Sequence, residues 1–197
     1  MVFPSLPENP QLSDLFQRFP HSAPPLLDYH DRLLRDPSPL TVAERELIAA
    51  YVSALNSCNF CLGAHAIAAQ AYGIDPVVVE ALIADLDSAP VEDRLKPILA
   101  YVRKLTPTPS RITPGDAAAV YAAGWDEQAL FDAVSVCALF NMMNRIVEGS
   151  GIKLDPRQRS PEEIEARAKR MGRPGADPHR GEHSYGKLAQ MWGLDRA

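Results

Sequence analysis

Two cysteines and a histidine stand out in this sequence because their types and spacing fit thiol chemistry. Cys58 and Cys61 enclose two residues, and His65 follows Cys61 by four positions. On a helix, the three side chains lie within about 60° of one another and share one face. Thiols of a CxxC pair at a helix N-terminus have a lowered pKa, since the helix dipole stabilises the thiolate. The spacing predicts a redox-active pair, with His65 able to hold or pass the proton that a thiol must lose.

A carboxylate that orients the imidazole would complete a proton relay, and Glu46 is the candidate. It lies twelve positions before Cys58, in the helix predicted just upstream. Antiparallel packing of the two helices would bring its side chain alongside His65. The alternative is a solvated surface charge beside Glu44 and Arg45, because glutamate is seldom buried without a partner.

Zinc binding is an alternative role for the same three residues, because two thiolates and an imidazole are common zinc ligands. Cys58, Cys61 and His65 lie on adjacent turns of one predicted helix, and no second Cys or His pair is nearby. Such a set makes a poor tetrahedral site. We therefore expect thiol chemistry without a metal.

The positions of the prolines indicate the fold class. Proline is disfavoured inside helices, and none of the 18 prolines falls between Thr41 and Asp75 or between Gly115 and Asp155. In both tracts apolar residues recur at helical spacing, and no alternating strand pattern of useful length is present. We predict an all-α fold, a helical bundle of about seven to nine helices.

Capping residues mark where the predicted helices begin. Thr41 and Glu44 form a capping box for the helix that ends near Asn56. Ser57 is predicted to cap the next helix, which carries the CxxC pair and stops at Gly73. Caps at Asp75, Thr113 and Ser160 start further helices, the last at about 161–171, and residues 126–148 are predicted to form the longest core helix. The remaining helical segments are at about 10–19, 25–35 and 91–105.

Charge and hydropathy exclude two classes of partner. With 20 basic and 25 acidic residues, no broad basic surface for nucleic acid is expected. The stretch 47–74 carries no Asp, Glu, Lys or Arg, but the polar residues 56–59 at its middle indicate a turn between two helices rather than a membrane span. The first residues lack the basic and apolar regions of a secretion signal, so we expect a cytoplasmic protein.

The residues around the CxxC pair resemble a known superfamily. The runs that carry the resemblance are residues 40–41, 44–48 and 53–56, the CxxC at 58–61 and Ala64-His65. They are similar to the core of the AhpD-like alkylhydroperoxidase and carboxymuconolactone decarboxylase superfamily, whose signature combines a Glu, a CxxC and a His four residues on. The runs at 112–114, 123–125 and 140–145 resemble its peroxidase-related branch. The resemblance covers about residues 25–155.

The resemblance implies a thiol-dependent peroxidase. In such an enzyme Cys61 attacks the peroxide oxygen and becomes a sulfenic acid, and Cys58 then forms a disulfide with it or first acts as proton donor. Glu46 and His65 relay protons. The helix dipole alone would favour Cys58 as nucleophile, since it lies nearer the helix start. The resemblance also implies a hydroperoxide substrate, an external dithiol reductant, no organic cofactor, and a homo-oligomer, either a dimer or a hexamer.

Two other functions remain open from the sequence. One is a non-enzymatic thiol redox or assembly module, and the other is a carboxymuconolactone decarboxylase-like enzyme. Decarboxylation needs no redox pair, so the intact CxxC favours the peroxidase. Asn59 and Phe60 stand where strict AhpD members carry a histidine between the cysteines, which weakens the transfer of a specific reductant.

We divide the chain into an AhpD-like helical domain with the N-terminal helices, residues 1–155, and a C-terminal helix with a polar tail, residues 156–197. The second part is expected to pack on the domain or on a partner subunit. Cys137 is predicted to be a buried core thiol. Asn141, Asn144 and Arg145 are expected to form a hydrogen-bonded network or to line a pocket. No role is assigned to the other histidines, which are His21, His30, His179 and His183.

Overall fold

The described part of the chain is built from α-helices. The computed structural model describes residues 2–154, residues 184–194 and positions 162, 165 and 166. Within these residues, nine α-helices and no β-strand are found, which confirms the predicted all-α bundle. The helices are α1 Leu12–Arg18, α2 Ala23–Arg35, α3 Val42–Leu55, α4 Asn59–Ala71, α5 Pro76–Ala84, α6 Lys96–Leu105, α7 Pro114–Ala122, α8 Glu127–Ser150 and α9 Tyr185–Met191.

The helix caps predicted at Thr41 and Asp75 are confirmed. The side chains of Thr41 and Glu44 each accept a hydrogen bond from the other's backbone amide, at 3.2 and 2.7 Å, and so start α3. Asp75 accepts a hydrogen bond from the amide of Val77 at 3.0 Å ahead of α5. The helix predicted from residue 91 starts late, one residue before Pro97, because proline fits the first turn of a helix but not its interior.

The prediction that Ser57 caps α4 is wrong, because Cys58 is the N-cap residue of that helix. Ser57 is left-handed, with a φ of 57°, and the amide of Cys58 donates to the carbonyl of Ser53 at 2.9 Å. This hydrogen bond closes α3 as in a Schellman motif, so Ser57 ends one helix instead of starting the next. Gly73 follows α4 with a φ of 105°, although the helix itself stops at Ala71.

The central helix of the bundle is α3. Its residues from Arg45 to Ser53 are all buried, and it packs against α4 in a tight hairpin and against α8 on another side. Burial on every side leaves no solvated face for a polar residue. A charged side chain on this stretch therefore needs partners inside the protein.

The long core helix predicted at residues 126–148 is confirmed as α8. Asp126 caps it by accepting a hydrogen bond from the amide of Ala129 at 2.8 Å, and Gly151 ends it with a φ of 76°. Among the described helices, only α8 is long and apolar enough to cross a membrane, and 56% of that apolar stretch is buried inside the protein. Such burial is typical of a core helix.

Residues 184–194 pack back onto the N-terminal helices. Asp31 on α2 accepts hydrogen bonds from the amides of Tyr185 and Gly186, at 2.8 and 2.7 Å, where α9 begins. Leu194 at the end of the segment is buried. Apart from positions 162, 165 and 166, the helix predicted at 161–171 lies outside the described residues.

Replacing Asp31 with alanine is expected to loosen α9. The change leaves two amide donors at the helix start without their acceptor, which costs about 1 kcal/mol for a capping interaction. Hydrogen exchange at residues 185–191 should become faster. Asp28→Ala is the matched control, because Asp28 lies one turn earlier on α2 and makes only an exposed ion pair with Arg32. Equal exchange rates in the two variants would contradict this anchoring role for Asp31.

Candidate active site

The α3–α4 hairpin brings Glu46 and His65 into direct contact. Oε2 of Glu46 lies 2.6 Å from Nδ1 of His65, and the carboxylate is completely buried. A carboxylate with a pKa of about 2 is ionised and can only accept, so Nδ1 of His65 is the donor in this hydrogen bond. Nε2, the other ring nitrogen, then carries the basic lone pair. The alternative of a solvated Glu46 is therefore wrong, since α3 has no exposed face at this position.

A buried arginine that the sequence analysis missed faces the other oxygen of the same carboxylate. Nη2 of Arg35, near the end of α2, lies 2.5 Å from Oε1 of Glu46. The guanidinium also lies 5.4 Å from the ring centre of Tyr72 and 5.8 Å from that of Tyr185. Burial alone would raise the pKa of Glu46, but the charge of Arg35 and the contact with His65 outweigh it and lower the pKa to about 2.

The two thiols of the CxxC pair occupy different positions at the start of α4. Cys58 is the N-cap residue and fully buried, whereas Cys61 lies in the first turn, and both are free. A hydrogen bond from the Cys61 thiol lowers the pKa of Cys58, although burial opposes it. The same hydrogen bond, together with burial, raises the pKa of Cys61. Of the two thiols, Cys58 is therefore the one that loses its proton more readily, as the helix dipole also favours.

Cys61, and not Cys58, faces a cavity of about 410 Å³ that also contains His65. Among the described residues, no Asp, Glu, Lys or Arg lines this cavity. Its walls are mostly apolar and come from α1, α4, α8 and the C-terminal segment: Leu12, Phe60, Ala64, Phe140, Met143, Leu154, Leu188 and Trp192. A small organic molecule fits a pocket of this size and polarity.

His30 is a second imidazole in the cavity, and the sequence analysis gave it no role. Its side chain is buried, with Nδ1 2.7 Å from the carbonyl oxygen of Leu26 and its ring 4.7 Å from that of Tyr185. Burial lowers the pKa of His30 to about 4. A signal was present in the sequence, because Leu27, His30 and Leu34 recur at helical spacing on the buried face of α2.

Asn141 and Asn144 join α8 to the end of α3, beside the turn that carries Cys58. The amide of Asn56 donates to Oδ1 of both residues, at 3.2 and 2.9 Å, and Asn144 donates to the hydroxyl of Ser53 at 3.0 Å. Arg145 also donates to Oδ1 of Asn141 at 3.0 Å. Of the two roles expected for these residues, the structure supports the hydrogen-bonded network between helices.

Cys137 is a buried core thiol, as predicted, 3.4 Å from the hydroxyl of Thr106 and outside the lining of the cavity.

Zinc was the other role considered for the cysteines and His65. The part of the chain that the structure describes contains no group of three or more His, Cys, Asp or Glu side chains able to hold a metal ion. The site thus combines two thiols, a buried acid–histidine pair and a cavity with mostly apolar lining residues.

Comparison with known proteins finds a matching family. Residues 20–100 match the model of the carboxymuconolactone decarboxylase family. No curated protein matches the sequence. An uncharacterized peroxidase-related protein from Silicibacter sp. TM1040 is 28% identical, with a TM-score of 0.63 over 68% of this chain and 70% of that chain.

A second solved structure shares the fold. It is an alkylhydroperoxidase AhpD core, an uncharacterized peroxidase-related protein from Ralstonia eutropha JMP134, with 24% identity and a TM-score of 0.69 over 73% of this chain and 76% of that chain. Together the family match and the structures confirm the resemblance predicted from the sequence: residues 20–100 are similar to the carboxymuconolactone decarboxylase family, and the fold is shared with the two peroxidase-related structures. An enzyme of that general type is indicated.

Replacing Arg35 with methionine is expected to destabilise the protein by about 3–5 kcal/mol, because it leaves the carboxylate of Glu46 buried without its cation. Urea unfolding at neutral pH measures the loss. The double variant Arg35→Met/Glu46→Gln should recover part of it, since no buried charge remains. Arg32→Met on the same helix is the control, as that side chain is exposed. A loss for Arg35→Met no larger than the control's would show that the ion pair is unimportant for stability.

Stability is expected to fall with acidification in a window set by His30. Its pKa is about 4 in the folded protein against an ordinary value of 6.5, so the unfolded chain binds the proton more readily between these values. The contribution of the neutral His30 to the free energy of unfolding is complete above pH 6.5 and is lost as the pH falls towards 4. It amounts to about 3 kcal/mol, at 1.4 kcal/mol per pKa unit. The contribution of Glu46 is lost only at lower pH, as its pKa is about 2.

Urea unfolding of the wild type and His30→Asn between pH 4 and 7 checks this expectation. The variant should show a flatter dependence in that window, whereas His21→Asn, which removes an exposed histidine, should follow the wild type. Parallel curves for the wild type and His30→Asn would rule out His30 as the group responsible.

Proposed function

We propose that this protein is a thiol-dependent peroxidase that reduces hydroperoxides through Cys61 and Cys58, with Glu46 and His65 as proton relay. One observation carries the proposal. Cys61 and His65 line the same cavity, and a fully buried, ionised Glu46 holds His65 by its Nδ1. The family match and the peroxidase-related structures point to the same type of enzyme.

The first step is removal of the proton from Cys61. Cys58 has the lowered pKa of the pair; once it is ionised, passing the shared proton from Cys61 to Cys58 puts the thiolate on the sulfur that faces the cavity. His65 lies one helical turn beyond Cys61, where Nε2 can instead accept the proton. Whichever of the two groups accepts the proton, Cys61 becomes the nucleophilic thiolate.

The thiolate then attacks the terminal oxygen of the hydroperoxide. An S–O bond forms, the O–O bond breaks, and the departing alkoxide takes the proton held by His65 or Cys58 to become an alcohol. Cys61 is left as a sulfenic acid. The thiolate of Cys58 next attacks the sulfenic sulfur, so that the S–S bond forms as the S–O bond breaks. The hydroxide that leaves takes a proton from solvent and becomes water. An external dithiol reduces this disulfide to the two starting thiols.

Glu46 has an orienting role in this relay. With a pKa of about 2 it stays ionised while Arg35 is beside it, so it does not take up a proton during turnover. It fixes the tautomer of His65 and stabilises the imidazolium that forms when Nε2 is protonated. The proton is therefore carried by His65, and the carboxylate supplies the negative charge that makes this favourable.

The cavity favours an organic hydroperoxide over the substrate of a decarboxylase. A carboxylated lactone brings at least one negative charge, and a cation or several donors would be needed to bind it. The described lining residues include no Lys or Arg, and Arg35 is already paired with Glu46. Apart from Cys61 and the two histidines, the polar lining residues are the neutral Gln11 and Ser13. Apolar walls instead match the alkyl or aryl part of an organic hydroperoxide.

We further propose a cytoplasmic homo-oligomer, a dimer or a hexamer, recycled by a dithiol protein. The resemblance to the superfamily supports the assembly, and a reducing compartment supports the recycling step. A non-enzymatic redox module remains the second candidate, because the same pair of thiols would cycle there without turning over peroxide.

Hydroperoxide consumption in the presence of a dithiol reductant tests the function. The wild type should turn over and Cys61→Ser should be inactive. In the absence of reductant, Cys58→Ser should consume one equivalent and stop at the sulfenic acid. His65→Ala should be slower by about 10²- to 10⁴-fold, as for loss of a general base. Cys137→Ser is the matched control, since this thiol is buried away from the cavity, and it should keep wild-type activity.

If the wild type is no faster than Cys61→Ser, the peroxidase proposal is wrong. Mass-spectrometric detection of a reversible Cys58–Cys61 disulfide would in that case support the redox module.

A further inference from the structure

The position of His30 in the cavity bears on how a substrate would be held, and this inference rests on the proposed peroxidase function. His30 comes from α2, whereas Cys61 and His65 come from α4, and all three line one cavity. Phe140 of α8 packs against both imidazoles, with ring centres 6.0 Å from His30 and 4.3 Å from His65. The cavity therefore presents two imidazoles to one nucleophilic thiol.

The protonation pattern of His30 follows from its contacts. Nδ1 lies 2.7 Å from the carbonyl oxygen of Leu26, and a carbonyl only accepts, so Nδ1 carries the hydrogen. The ring is buried against Tyr185 and is neutral at physiological pH, with a pKa of about 4. A neutral imidazole has a single N–H, and Nε2 is therefore an acceptor. No described residue hydrogen-bonds to that nitrogen.

We propose that Nε2 of His30 accepts a hydrogen bond from the O–H of the hydroperoxide and thereby orients the terminal oxygen towards Cys61. A hydroperoxide is distinguished from other peroxides by this one donor, and the cavity contains an acceptor with no other described partner. An imidazolium would present a donor instead, so a ring kept neutral by burial suits the task.

The two imidazoles then have separate tasks. His30 exchanges no proton with the substrate, because the O–H hydrogen stays on the oxygen that is transferred and ends on the sulfenic acid of Cys61. His65, held by Glu46, moves the proton that the alkoxide receives. The proposal thus adds a substrate-orienting residue to the thiols and the relay.

Two substitutions at His30 separate the acceptor from the ring's structural contact. In His30→Asn, the side-chain NH₂ stands where Nδ1 was and can still donate to Leu26, but the side chain is too short to place an acceptor at the position of Nε2. In His30→Gln, the longer side chain can place its carbonyl oxygen near the position of Nε2. His21→Asn is the control, because this histidine is exposed.

The measurement is the second-order rate constant for oxidation of Cys61 by cumene hydroperoxide, followed by stopped flow in a single turnover. Alkylation of Cys61 by iodoacetamide, an electrophile without an O–H group, is followed in parallel. We expect His30→Asn to slow oxidation by about 10- to 100-fold, the loss typical of a misplaced reactant, and to leave alkylation unchanged. His30→Gln should recover part of the rate.

Equal oxidation rates for the wild type and both His30 variants would overturn the proposal while leaving the peroxidase function intact. Parallel loss of oxidation and alkylation in both variants would also overturn it, since the imidazole would then only support the fold. A wild type that is alkylated but not oxidised by hydroperoxide would reject the peroxidase function, and the role of His30 with it.

Discussion

The ionised carboxylate of Glu46, with no exposure to solvent, is the constraint on which this site depends. A charge in the middle of α3 is tolerated only with partners, and two other helices supply them: α2 contributes Arg35 and α4 contributes His65. Since each contact is 2.6 Å or shorter, the three helices have little freedom to shift against one another. The ion pair that holds the carboxylate ionised therefore also fixes the imidazole of His65, which shares the cavity with Cys61.

The turn between α3 and α4 sets the difference between the two thiols. Ser57 ends α3 in the left-handed region, which leaves Cys58 as the N-cap of α4 and Cys61 one turn into the helix. The pKa is lowered at Cys58, the buried N-cap where the helix dipole acts, and raised at Cys61, the sulfur that faces the cavity. The helix dipole favours Cys58, because it stabilises a thiolate at the N-cap. The superfamily motif favours Cys61, and this is the sulfur that faces the cavity.

Sequence reasoning found the contacts that are local or carried by a motif, and it missed those made by distant residues. Proline positions and capping boxes located nearly all helices, and the spacing of Glu46, Cys58, Cys61 and His65 was sufficient to place these four residues on one hairpin. Arg35 has no spacing relation to that motif, so only the packing of α2 on α3 reveals it. Ser57 was misassigned because a serine before a helix is a common N-cap, whereas here the connection has no room for one.

The C-terminal segment connects the end of the chain to the electrostatics of the cavity. Asp31 anchors the start of α9, and this places the ring of Tyr185 against both His30 and the guanidinium of Arg35. Tyr185 thereby shields one side of the imidazole, and the ion pair, from solvent. Burial is what keeps His30 neutral, and a low local dielectric strengthens the attraction of Arg35 for Glu46. The last helix therefore influences the protonation of groups that lie more than a hundred residues earlier in the chain.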